Sequence, residues 1–449
     1  MAAIYTAPAG TAGRADRGGP RNPARSSPLR ANGRVRLIVA HSHGAQLFRA
    51  ATVVVLAVAP SGCGRLGFEI TGGGASDPDG GPGPSDDAAV DAPVTPQTAR
   101  AVATGREHAC AIRDGRLACW GQGVSGQLGL GDVQPRTAPV EVQPAERWLD
   151  VAAGGDHSCG VRADRTLWCW GSNRLGELGI GSMAAQVTAP TEVTLPGPVA
   201  SVVSGFSTTC AGLDDGSLWC WGWNAEGQAA QGGAIDGPEV RAPARVGADL
   251  GWTAIASGQG HTLGVRAGEL LGSGRNNGAE LGLGMGAPGQ VRVMTSIDAG
   301  PWKVLTAGQN GSGGVTADGR PFTWGTNIGR ALGQPTLANY EQPTLLDDTQ
   351  GWSAIDLDTF HGCGIVASGA MRCWGRNVEG QLGRGDNADT MEPAASGADT
   401  DWVSVDVARF YTCAQRASGS VWCAGENGSG QLGTGDLGRR NTWTEVVLP

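Results

Sequence analysis

The chain has 449 residues, of which 17% are charged and 40% hydrophobic, with 76 glycines and a net charge of −9. Residues 1–63 carry +7 and residues 64–97 carry −5, which leaves −11 to residues 98–449 and excludes the basic footprint that nucleic-acid binding requires. The most apolar run, residues 50–59, is too short to cross a bilayer as a helix.

Taken in chain order, the first recognisable segment is that apolar run, preceded by arginines up to Arg49, which is the layout of a secretory signal. Ser61-Gly62-Cys63 follows at once and resembles the lipobox of bacterial lipoproteins, in which the cysteine becomes the lipidated first residue. Pro60 stands where that family has an aliphatic residue, and the long stretch before the run points to a start downstream of Met1. The alternative is an ordinary cleaved signal that leaves Cys63 as an unpaired thiol. Residues 1–62 are therefore read as a leader and residues 63–97 as a tether. Thr71-Gly72-Gly73-Gly74 and Pro78-Asp79-Gly80-Gly81-Pro82 show why: such composition cannot bury enough apolar surface to offset its ordering entropy.

From residue 98 onward a unit of about fifty residues recurs seven times. Indexed on the glycine of a Trp-Gly phrase, the copies fall at Gly121, Gly171, Gly222, Gly274, Gly325, Gly375 and Gly425, at intervals of 50, 51, 52, 51, 50 and 50. Such a period marks stacked or ring-arranged supersecondary units. Five units carry cysteine pairs nine or ten residues apart: Cys110 with Cys119, Cys159 with Cys169, Cys210 with Cys220, Cys363 with Cys373 and Cys413 with Cys423. Where one cysteine is missing both are missing, with Leu263 and Gly272 in the fourth unit and Gly313 and Thr323 in the fifth.

The turn chemistry between the cysteines predicts hairpins. In the first unit Asp114-Gly115 suits a two-residue type I′ turn and sets Cys110 opposite Cys119. In the third, fifth, sixth and seventh units Gly216, Gly319, Gly369 and Gly419 stand third in the loop, where a type I turn with a glycine bulge needs positive φ. Opposed residues of an antiparallel pair lie within disulfide range. Disulfides are thus the leading reading, ahead of buried thiols and of zinc, which wants closer cysteine spacing and two further ligands. Five disulfides imply an oxidising compartment.

Each unit offers about four short strands: the Val-Ala-Ala-Gly stretch, the two hairpin strands and a later one such as Pro139 to Val142. Seven units of four strands predict an all-β fold, a seven-bladed β-propeller of four-stranded antiparallel blades. The phrases Cys373 to Asp386 and Ala152 to Cys159 resemble the regulator of chromosome condensation repeat, over residues 98–449. That resemblance implies a seven-bladed propeller acting as a platform for protein contacts. Eukaryotic relatives include an exchange factor for a small nuclear GTPase, and a secreted bacterial relative binds and inhibits β-lactamases. Exchange activity is not carried over, because an exported chain has no access to a cytosolic GTPase and the even spacing leaves no room for a wedge-like insertion.

The remaining chemistry-bearing residues read as structural. His108, His157, His261 and His361 share one repeat position, as do Asp132, Asp386 and Asp436. Arg384-Gly385-Asp386 is the repeat phrase before it is an adhesion tripeptide. No zinc-protease, nucleophile-elbow or phosphate-loop motif occurs. Ala317-Asp318-Gly319-Arg320 faintly resembles a sialidase turn, but the tyrosine such enzymes use would have to be Tyr340 or Tyr411, and Tyr411 sits in the repeated histidine position. The expectation is a monomeric, exported, lipid-anchored binding module without cofactor or metal, docking another protein or a surface glycan through variable rim loops, Ala225 to Arg245 and Met285 to Val291. Trp223, Asn224, Glu226, Glu239 and Arg241 are its candidate contacts. The alternatives are a carbohydrate-active lyase or hydrolase and a structural envelope protein.

Overall fold

A computed structural model describes residues 102–232, 239–349 and 351–449. These residues form seven four-stranded antiparallel sheets, each built from four consecutive strands in chain order. The first sheet is Val102–Thr104, His108–Arg113, Arg116–Gly121 and Arg136–Glu141. The seventh is Trp402–Val407, Tyr411–Arg416, Val421–Gly425 and Arg440–Val446. The fold is therefore a seven-bladed propeller in which blade and repeat coincide and no strand is exchanged between the first and last blades. The leader, Cys63 and the tether lie outside the described residues.

The hairpins follow from the turn residues as the sequence predicts. Asp114 and Gly115 have φ of 52° and 74°, and the register pairs Arg113 with Arg116 and Cys110 with Cys119. Gly216, Gly319, Gly369 and Gly419 have φ between 77° and 83°. In the second blade the same place is taken by Arg165, at φ 68°, a conformation that an L side chain resists. All five cysteine pairs are closed as disulfides across their own hairpins, with Cα atoms 4.1 or 4.2 Å apart. The bonds join Cys110 to Cys119, Cys159 to Cys169, Cys210 to Cys220, Cys363 to Cys373 and Cys413 to Cys423, the pairing expected from hairpin register. In the blades without cysteine, Leu263 faces Gly272 and Gly313 faces Thr323.

Adjacent blades are locked by tryptophan on glycine. Trp120, Trp170, Trp221, Trp324 and Trp374 are fully buried on third strands, and each indole N–H donates to a carbonyl of the preceding blade at 2.7–3.0 Å, as Trp170 does to Gln127. The ring lies so close to the neighbouring turn that a methyl group at Gly129 would come within 2.8 Å of Trp170 Nε1. Blades four and seven have Ser273 and Ala424 in that position. In blade seven Trp443, from the outermost strand, occupies the vacant place against Gly383. In blade four Met294 holds the corresponding outer-strand position, and the glycine of the facing turn is replaced by Ala230.

A second lock uses the repeated histidine. His108 Nε2 meets Ser158 Oγ at 2.9 Å, and Ser158 Oγ donates to the Gln127 carbonyl. His157 meets Thr209, His261 meets Ser312 and His361 meets Thr412 in the same way. All four rings are fully buried, in agreement with a structural role. Burial is the largest cause that holds their pKa down, to about 3 for His108 and His361 and about 4 for His157 and His261. Tyr411 replaces the histidine in blade seven, and its hydroxyl donates to the Gly105 and His108 carbonyls of blade one, which closes the ring.

Candidate functional site

Each innermost strand ends in a turn that leads into the second strand, and these seven turns surround one mouth of the central channel. Their residues line a cavity of about 210 Å³. Between the glycine position and the histidine position each turn carries two residues that differ from blade to blade: Arg106-Glu107, Gly155-Asp156, Phe206-Ser207, Gln259-Gly260, Gln309-Asn310, Thr359-Phe360 and Arg409-Phe410. This variable pair was visible in the sequence, between fixed residues. Attention to the fixed residues alone passes over it.

The turns are tied to one another from blade two to blade six. Gly155 N–H donates to the Phe206 carbonyl at 3.0 Å, Phe206 to Gly258 at 3.3 Å and Gln259 to Gly308 at 3.2 Å, while Gln309 N–H donates to Asp358 Oδ1 at 3.1 Å. Asp358 stands where five blades have glycine, and burial is the main cause that raises its pKa, against the hydrogen bond from Thr359. Further round, carboxylates on the strands themselves take over. Asp356 Oδ2 accepts the Val407 N–H at 2.5 Å, and Asp406 Oδ2 accepts the Thr104 N–H and hydroxyl at 2.5 and 2.7 Å. Asp150 joins blades two and three likewise through the Val202 N–H. These three aspartates break the repeat pattern, Asp356 and Asp406 on the cavity wall, yet their oxygens hold neighbouring strands together, so they are straps. Among the described residues no group of three His, Cys, Asp or Glu side chains is placed to hold a metal.

Arginine and phenylalanine dominate the mouth. Phe360 and Phe410 stack with centroids 5.3 Å apart and planes at 15°. Arg409 lies over both rings, at 5.5 and 5.0 Å, and Arg376 does the same at 5.3 and 5.8 Å. Beside Arg409, in the next blade, Arg106 lies 5.8 Å from the exposed ring of Phe206 and pairs with Asp156 at 2.9 Å. Asp156 has its pKa raised, by burial first, with the Arg106 charge opposing. Ile328 and Val378 are 79% and 48% exposed in turns on the same side of the ring.

The five residues singled out from the sequence lie on the outer part of this face, between blades two and three. Trp223 is half-buried, and its carbonyl accepts the Thr208 hydroxyl. Asn224 is 1% exposed, and its Oδ1 accepts the Ala229 N–H, as Asn377 does for Leu382 and Asn427 for Leu432. Glu226 caps the turn through its N–H to Gln228 Oε1. Glu239 and Arg241 form an ion pair with each other. The structure thus gathers four side chains at the surface there and commits Asn224 to holding its turn.

Comparison with known proteins agrees with the fold. Residues 114–161 and 165–211 match the Regulator of chromosome condensation (RCC1) repeat, and a second form of the repeat matches residues 148–177 and 199–228. The Ultraviolet-B receptor UVR8 of Arabidopsis thaliana is 31% identical over 213 residues, 46% of this chain and 46% of that protein. The human E3 ubiquitin-protein ligase HERC2 is 30% identical over 261 residues, 56% of this chain and 5% of that much longer protein. The chain thus spans less than half the length of these relatives. Among solved structures, Prp20p of Saccharomyces cerevisiae, described with its binding to Gsp1p and histones, superposes with a TM-score of 0.66 at 18% identity, covering 75% of this chain and 87% of that one.

Proposed function

We propose, from the match of residues 114–228 to the regulator of chromosome condensation repeat and from the seven blades, that the chain is an exported protein-binding module of that repeat family that docks its partner on the face around the channel mouth. The observation that carries this reading is the distribution of variation. The ring repeats its tryptophan, histidine and asparagine locks closely, while the paired turn residues at the mouth change in every blade and draw on arginine and phenylalanine, residue types that anchor protein interfaces. Export is supported by the five closed disulfides, which belong to an oxidising environment. Lipid attachment at Cys63 would leave residues 64–97 as a spacer between membrane and propeller.

Binding rather than catalysis is supported by the way the channel carboxylates are spent on strapping strands together. HERC2 shows that such propellers also occur within enzymes, but this chain covers 5% of it, so its activity is not transferred. Trp223, Glu226, Glu239 and Arg241 would form the outer edge of the same interface. The test is capture of exported proteins by the full-length protein and by two variants. Gln259→Trp crowds the mouth, and Ser418→Trp adds the same bulk at a hairpin turn on the opposite face. Capture lost in the first and kept in the second is expected; equal capture by both sinks the assignment of the face.

A further inference from the structure

Resting on that docking face, we propose that the cluster of Arg376, Phe360, Phe410 and Arg409 is a receptor for a carboxylate side chain on an acidic segment of the partner protein. Of the 22 arginines among the described residues fifteen form ion pairs. Arg376 and Arg409 do not; each is held against two phenyl rings instead. A guanidinium on an aromatic face uses its flat side and leaves the in-plane N–H edge unspent, already oriented for a bidentate oxyanion. Arg376 Nε is buried with no hydrogen-bond acceptor among the described residues. Both guanidiniums lie over the same stacked pair of rings, which reduces the side-chain freedom lost on binding.

The surroundings decide the class of occupant. A sulfated or phosphorylated glycan needs an extended positive field, whereas residues 98–449 carry −11 and repel a polyanion. A single carboxylate meets the local pair of cations and competes there only with the nearby acids Asp358, Glu107 and Glu426, none of which is ion-paired with Arg409. Ile328 and Val378, exposed on the same side of the ring, and the two phenyl rings give that face apolar surface suited to the side chains beside a glutamate or aspartate in a protein segment.

The full-length protein would be titrated with a capped fluorescent hexapeptide carrying one glutamate between leucines, with its glutamine twin, and with a heparin fragment. The expected result is that the glutamate peptide binds about tenfold or more tightly than its twin, and that R376Q/R409Q lowers it to the twin's affinity. R409K should not restore binding, because an ammonium cannot lie flat on the rings. Retention of all five disulfides and of Tm shows that the variants are folded. Equal binding of the two peptides, preference for heparin, no effect of the double substitution, or no saturable binding of any probe at millimolar concentration overturns the proposal. Partner capture that is blocked by Gln259→Trp but indifferent to R376Q/R409Q overturns this receptor and leaves the docking face standing. Indifference to both removes the docking face as well.

Discussion

Arg165 stands where four other blades have a left-handed glycine, and its side chain contributes only an exposed ion pair to Asp214. The conformation costs about 1–2 kcal/mol for an L residue, partly offset by the greater freedom that glycine gives the unfolded chain. Arg165→Gly should therefore raise stability by about 0.5–1 kcal/mol in urea denaturation; a loss would show that the ion pair outweighs the backbone. The buried histidines set a pH response of the opposite kind. Their folded pKa values of about 3 to 4 lie below the ordinary 6.5, so below pH 6.5 the unfolded chain binds protons that the folded one refuses. Stability should be flat from neutral pH down to 6.5. It should then fall by up to about 1.4 kcal/mol per pH unit for each histidine until pH 3 to 4. His157→Gln should make that slope shallower, and a slope unchanged by it would count against the assignment.

At the scale of the strand, the locks between blades explain which parts of the sequence could be read and which could not. Cysteine register, hairpin type and the strand count are set by residues close in the chain, and all three were legible from spacing and turn chemistry. The replacement of a missing indole was not, because Trp443 and Met294 come from a different strand than the tryptophan they substitute and break no local rule. Ala230 is the one trace of it: the methyl is admissible because no indole from Ser273 lies over that turn. Trp443→Ala should cost about 3 kcal/mol, since it removes a ring packed on Gly383 and, at 5.0 Å, on Trp402. Equal stability of that variant and the natural chain would mean that the seam between blades six and seven is held by other contacts. The mouth was legible in part. Its residues lay in a variable pair between fixed positions, but that Phe360 and Phe410 meet across two blades depends on ring closure, which no window of sequence contains.

For the whole molecule, the five disulfides each close a short hairpin, so each limits the unfolded chain by about 2–3 kcal/mol. Their sum is comparable with the whole stability of an ordinary domain. All ten half-cystines are fully buried. Reductant should therefore act only on opened molecules: alkylation after reduction should be slow under native conditions and complete in denaturant, and the reduced chain should melt well below the oxidised one. Rapid labelling of the native protein would show that the blades open individually.

Because every blade is made of consecutive strands, the junction between the seventh and the first is sealed without a linker: Trp120 to the Gln431 carbonyl, the Tyr411 hydroxyl to blade one, Asp406 to Thr104, and the Gly435 N–H to the Thr137 carbonyl. The other six junctions have the added leash of a covalent linker. A circular permutant that splices this junction and cuts another should thus enclose the same ring with a different gate. Pulling the two ends of the natural ring apart in a force experiment should part the seventh blade from the first before any other pair.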